Sequence, residues 1–83
     1  MIVAPSRQPV GRLVDARGSY CPGPLMELIR VIREVPVGEY ITLRSSDRGS
    51  RIDVPKWVEK AGHRLVGVEQ LDGYDEIVVE KAR

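Results

Sequence analysis

The chain has one cysteine, Cys21, in the run Asp15-Ala16-Arg17-Gly18-Ser19-Tyr20-Cys21-Pro22-Gly23-Pro24. A thiol is a nucleophile as its thiolate, so what matters is what would hold that anion. The run stands where a short strand gives way to a helix, with Cys21 at the N-cap or just before the first helical residue. Unpaired backbone N–H groups and the positive end of the helix dipole collect there. Such a place draws a cysteine pKa down from ~8.5 toward or below neutrality. Pro22 at the first helical position loses no hydrogen bond, and Pro24 still falls in the first turn, where proline is tolerated. Gly23 adds no side chain, which leaves room for a partner beside the sulfur. Arg17 adds positive charge, and Tyr20 is placed to shield the sulfur or to touch a partner. The competing reading is an inert buried thiol, a frequent state of free cysteine. Proline and glycine punctuation at a helix start argues against a core position.

What the chain lacks narrows the chemistry. One cysteine excludes an internal disulfide and a Cys-x-x-Cys redox pair. One cysteine and one histidine cannot build a four-ligand zinc site in one chain. A cysteine hydrolase needs a general base beside its nucleophile, and the only histidine, His63, follows Gly62 at a helix end and reads as a surface or capping residue. There is no glycine-rich phosphate loop. The expectation is therefore no cofactor and no metal. A nucleophile without a base or pocket suits a group carrier, which takes a cargo on sulfur and hands it to a second protein. The chain reads as a carrier with sulfurtransferase-type chemistry more than as a stand-alone enzyme.

The rest of the chain must position that cysteine. Eighty-three residues make one small domain with a modest core. Hydrophobic residues at 42% and charged residues at 30% fit a globular protein rather than a disordered one. A net charge of +1 gives no general pull toward nucleic acid or an anionic membrane. No apolar run approaches the ~20 residues of a membrane-spanning helix, and the start lacks a signal-peptide pattern. The expected location is the cytoplasm, where reduction keeps a lone thiol free. A monomer is expected, since no heptad pattern or long apolar edge stands out.

Residues 1–11, with Pro5, Pro9 and Gly11, read as an N-terminal arm, and 12–83 as a single domain. Residues 12–16 form a short strand. The spacing of Leu25, Leu28, Ile29, Ile32 and Val35 predicts a helix over 22–34 with one buried face. The Val-Pro-Val-Gly run from Val35 to Gly38 ends it. Residues 39–45 alternate as a strand. A second helix is expected over 50–61, capped by Ser50 or Asp53, with Ile52, Trp57, Val58 and Ala61 inside. Pro55 predicts a kink there, or a true start after Asp53. Gly62 closes that helix. Strands are expected over 64–71 and 76–81, with Asp72-Gly73 as the hairpin turn. Met26 reads as edge-of-core packing. The order β-α-β-α-β-β, with too few helices to cover both sheet faces, predicts an α+β fold. It is a two-layer α/β sandwich with a four-stranded mixed sheet and both helices on one face. The right-handed crossover rule makes the first two strands parallel neighbours or near neighbours.

With these residues in view, the chain resembles the TusA-like (SirA-like) sulfur-carrier proteins. Their signature is a strand ending in Asp, a Gly, then Cys-Pro-x-Pro opening a helix, matched by Asp15, Gly18, Cys21, Pro22 and Pro24. The likeness continues through Val37-Gly38-Glu39, Ser46-Asp47, Arg51-Ile52-Asp53-Val54-Pro55 and Ala61-Gly62-His63, over about residues 12–81. It implies a βαβαββ sandwich in which Cys21 carries sulfane sulfur as a persulfide. Asp15, Gly18, Pro22 and Pro24 match the family as positioning residues, and Gly23 stands among them. The implied donor is a cysteine desulfurase or a rhodanese-type sulfurtransferase, and the acceptor another sulfur-relay protein. The implied routes are tRNA thiolation, molybdenum cofactor synthesis, or general sulfur trafficking and oxidation. The motif details resemble the trafficking and oxidation members more.

Arg44, Arg48, Arg51 and Lys56 read first as a solvated charged face; gathered near the second helix, they would form a docking face for an acidic partner. The rival function is a noncatalytic regulatory or interaction module that uses the open sheet face for protein or nucleic acid. An RNA-binding sheet stacks bases on aromatics, and a chain with no Phe and one Trp is poor in them. A third reading, a thiol redox protein, lacks a resolving cysteine.

Overall fold

The computed structural model describes residues 11–20 and 22–83. Its elements run β1 (Arg12–Asp15), α1 (Gly23–Ile32), β2 (Tyr40–Ser45), α2 (Arg48–Ala61), β3 (Arg64–Leu71) and β4 (Tyr74–Glu80). The sheet order is β1-β2-β4-β3. β1 lies parallel to β2, and β4 pairs antiparallel with both β2 and β3. This is the expected mixed four-stranded sheet, with its first two strands as parallel neighbours. The expected arm lies outside the described residues except for Gly11, which sits so close to the Tyr40 carbonyl that a side chain would not fit.

One core holds the layers together. The sheet contributes Val14, Ile41, Leu43, Ile77 and Val79; α1 and the turn after it contribute Leu28, Val31, Ile32 and Val35; α2 contributes Val54 and Val58. Alternation along the strands puts Leu13, Thr42, Arg44, Glu76 and Val78 on the other face. Both helices thus cover one face, as expected. The α1 face is rotated slightly from the expected one. Val31 is buried, while Leu25 and Ile29 are half-buried, so the stripe centres on Leu28, Val31, Ile32 and Val35.

Several boundaries move. α1 begins at Gly23 with Pro22 as its N-cap, and Arg33 is its C-cap, so Pro22 is not the first helical residue. α2 begins at Arg48 with Asp47 as N-cap, not with Ser50 or Asp53. Ser50 is buried inside the helix, and its backbone N–H is donated to the Asp47 carbonyl at 3.2 Å. Helix α2 runs unbroken through Pro55, so there is no later start. Ile52 points outward, 60% exposed, and Val54 takes the inner place. β4 opens at Tyr74, two residues early, directly after the Asp72-Gly73 turn. Trp57 is half-buried at the margin of the core, its ring tilted 39° to that of His63 with centroids 5.7 Å apart. Met26 is 61% exposed and does not pack at the core edge. No helix among the described residues is long and apolar enough to cross a membrane.

Candidate functional site

The segment that carries the cysteine leaves β1 at the carboxyl end of the parallel pair. Ala16 is buried and donates its N–H to the Arg44 carbonyl at 2.8 Å, which extends the β1–β2 contact one residue beyond the strand. The chain then turns. Ser19 N–H is donated to the Ala16 carbonyl at 3.1 Å, and Gly18 takes φ +92° at the third position of that turn. An L side chain adopts this φ only with strain, so glycine is the fitting residue. Gly18 also donates its N–H to Ser46 Oγ at 2.9 Å. Ser46 belongs to the link between β2 and α2, so two loops distant in sequence are tied at one end of the sheet.

Arg17 in this turn is held by Asp15. Its Nε donates to Asp15 Oδ1 at 2.8 Å and a terminal nitrogen donates to Oδ2 at 2.7 Å. Arg17 backbone N–H adds a third bond to Oδ1 at 3.2 Å. The Arg17 side-chain bond, then its backbone N–H, holds the Asp15 carboxyl at about 2 against an ordinary 3.8. The guanidinium also lies over the Tyr74 ring, 4.8 Å from its centroid, and Arg44 approaches the same ring at 5.8 Å. Arg44 Nε in turn donates to the buried Glu76 carboxylate at 2.9 Å. A chain of contacts thus runs Asp15, Arg17, Tyr74, Arg44, Glu76 from the loop across the open sheet face.

Cys21 itself lies outside the described residues, and its neighbours define its setting. Tyr20 is 79% exposed, and Gly23 N–H is donated to the Tyr20 carbonyl at 2.7 Å. The Pro22 carbonyl accepts the first helical bond, from Met26 N–H at 2.9 Å. Pro22 is exposed and Pro24 buried, so the second proline anchors the helix start to the core. A Cβ on Gly23 would stand 3.3 Å from Ser19 Cβ, so a small residue there lets the first turn of α1 lie close against the loop. Among the described residues no side chain caps α1, and its first turn has no acidic residue. The positive end of the helix dipole is therefore not offset by a carboxylate of its own helix, which favours an anion there.

The basic residues separate. Arg48 and Arg51 line a polar hollow of about 220 Å³ with Ser46, Gln70, Tyr74 and Asp75. Arg51 is paired with the buried Asp75 at 3.1 Å. Arg17 and Arg44 meet at Tyr74 on the open face. Lys56 lies two turns farther along α2, in another groove with Val58, Glu59, His63 and Leu65, so the four basic residues around α2 do not form one face. Sequence reasoning missed Ser46 and Tyr74 as parts of this region. Ser46 stood only within the Ser-Asp likeness, and Tyr74 fell between the hairpin turn and the expected strand. Among the described residues no group of His, Cys, Asp and Glu could hold a metal ion.

Fold and loop together define a class: small two-layer βαβαββ domains with a Cys-Pro-x-Pro segment at the first helix. The family model described as "Sulfurtransferase TusA" matches residues 12–81, and the chain belongs to that family. A protein of Archaeoglobus fulgidus, provisionally named a sulfur carrier protein, is 55% identical over 71 residues, covering 86% of this chain and 97% of its own. Sulfur carrier protein TusA of Pseudomonas syringae pv. syringae is 35% identical over 60 residues, covering 72% and 71%. The crystal structure of a SirA-like protein from Desulfitobacterium hafniense shares the fold with TM-score 0.75 at 24% identity, covering 86% of this chain and 97% of that one.

Proposed function

We propose that this chain is a cytoplasmic sulfur carrier whose Cys21 accepts sulfane sulfur as a persulfide and passes it to a partner protein. The observation that carries the reading is the setting of the Cys-Pro-Gly-Pro segment. It stands at a helix start with no acidic residue in the first turn, in a family whose relatives are named sulfur carriers. In loading, the Cys21 thiolate attacks the outer sulfur of a donor persulfide. A new S–S bond forms, the donor's S–S bond breaks, and the donor leaves as its thiolate. In delivery, an acceptor thiolate attacks the outer sulfur on Cys21 and the Cys21 thiolate is released. A persulfide is more acidic than a thiol, so the loaded form is readily anionic, and a positive helix end suits that anion.

Asp15, Gly18, Pro22, Gly23 and Pro24 position the segment, and none of them does chemistry. Donor and acceptor, a desulfurase or rhodanese-type enzyme and a relay protein, dock around the exposed Tyr20 and the basic rim of Arg17, Arg44, Arg48 and Arg51. The test is the intact mass of the protein after incubation with polysulfide, thiosulfate, or a cysteine desulfurase plus cysteine. A reductant-reversible gain of ~32 Da, one sulfur atom, absent in Cys21→Ser, is expected of a carrier thiolate. No adduct with any donor overturns the reading.

A further inference from the structure

We propose that Ser46 and Tyr74 are positioning residues for Cys21, two fixed points outside the reactive loop that set where it stands. The inference rests on the reading of Cys21 as the sulfur-bearing residue. The loop has little to hold it by itself. Arg17, Gly18, Ser19 and Tyr20 are all exposed, so burial does not fix them. Its own bonds are local: the Ser19–Ala16 turn bond, the Asp15–Arg17 pair and the bond from Gly23 N–H to the Tyr20 carbonyl. Among the described residues, two contacts tie the exposed part of the loop to distant parts of the chain. Gly18 N–H is donated to Ser46 Oγ, 28 residues away, at 2.9 Å. The Arg17 guanidinium rests on the Tyr74 ring at 4.8 Å.

Both anchors are themselves fixed. Ser46 lies between Ser45, fully buried at the end of β2, and Asp47, the N-cap of α2. Ser45 Oγ accepts the Asp47 N–H at 3.1 Å, which closes the link around Ser46. Tyr74 opens β4 and pairs with Leu71 across the hairpin. The loop is thus held from the β2–α2 link on one side and from the hairpin on the other. Gly18 is three residues before Cys21 in the chain, so losing either anchor loosens the approach to the Cys-Pro-Gly-Pro segment. A thiolate whose place is not held samples less of the positive potential that stabilises it.

The test is the rate of Cys21 alkylation by iodoacetamide as a function of pH in the full chain, with thermal unfolding followed in parallel. Ser46→Ala and Tyr74→Leu are expected to move the midpoint of the rate profile upward. Each is expected to slow alkylation at pH 7 by about fivefold, the scale of one hydrogen bond's net worth for Ser46 and of an exposed cation–π contact for Tyr74. Ser46→Thr keeps the hydroxyl and is expected to restore the profile, which a loss of fold would not do. Unchanged midpoints in both variants overturn the proposal. So does a lowered unfolding temperature with an unchanged midpoint, since the contacts would then be merely structural. A shifted profile together with absent sulfur loading in the unmodified chain leaves the clamp standing and removes the carrier reading.

Discussion

Asp15 shows how one carboxylate fixes the arginine of the loop that precedes the cysteine. It accepts three hydrogen bonds from Arg17, and each favours its ionised form. The pair stands in water, and an exposed ion pair adds little to global stability. Its effect is on the direction of Arg17, which it turns toward Tyr74. The folded-state pKa is depressed, so the interaction is complete above 3.8 and is lost as pH falls through about 2. Carboxyl-carbon NMR titration is expected to place the Asp15 midpoint near 2. In Arg17→Ala the midpoint should move most of the way back toward 3.8, since the leading cause is the side-chain bond. A midpoint that stays low in Arg17→Ala would assign the shift to the backbone and to Arg44. Both partners of this pair were visible as residues flanking the cysteine. The ring they address was not, because Tyr74 reaches Arg17 only through the folded sheet.

At the scale of elements, α2 holds the clearest conflict between local preference and global packing. Proline in a helix interior lacks an N–H and crowds the carbonyl one turn back, at a cost of ~3 kcal/mol. Yet α2 continues across Pro55, with Val54 and Val58 fully inside on either side of it. The core contacts of those two valines outweigh the local penalty. Pro55→Ala is expected to raise stability by about 2 kcal/mol, after allowing for the greater freedom the unfolded chain regains. For a domain of this size that corresponds to about 10 °C in unfolding temperature. An unchanged or lowered unfolding temperature would mean that the backbone has already adapted to the ring. The same conflict explains what was legible in the chain. The strands, α1 and the Gly62 stop follow from apolar spacing and glycine chemistry, and β3 was read to its observed bounds. The start of α2 was not legible, because Ser46-Asp47-Arg48-Gly49-Ser50 has the composition of a loop. It becomes the first turn because Ser50 is buried and bonded to Asp47. For the candidate site, the cysteine, its prolines and Gly18 were readable from local spacing. The anchors Ser46 and Tyr74 were not, since they act across separations that only the topology closes.

The whole molecule has two ends of different construction. The carboxyl ends of β1 and β2, the starts of both helices and the β3–β4 turn gather at the end that carries Cys21. At the opposite end the last residues bind the helix C-termini together. Lys81 exchanges backbone bonds with Gly38 and Glu39, and its Nζ donates to the Val35 carbonyl at 2.7 Å. Ala82 N–H is donated to His63 Nδ1 at 3.1 Å, and the Arg83 side chain lies against Gly62, where a Cβ would meet it at 2.7 Å. His63 must be neutral at Nδ1 to accept that bond. Burial first, then the charges of Lys81 and Arg83, pushes its pKa below the ordinary 6.5. The unfolded chain therefore takes up the proton at a higher pH than the folded one. Stability is expected to fall as pH drops below about 6.5 and to level off once the folded histidine is also protonated. Thermal unfolding across pH 7.5 to 5 checks the slope. His63→Asn, whose side-chain oxygen can accept the same bond without titrating, should remove that part of it. Amide exchange locates the effect. Ala82 should lose protection in acid beyond the intrinsic pH dependence, while Ala16, bonded to Arg44 at the Cys21 end, should keep its own. Equal loss at both amides would show that the two ends open as one unit, and the loop before Cys21 would then share the acid sensitivity of the far end.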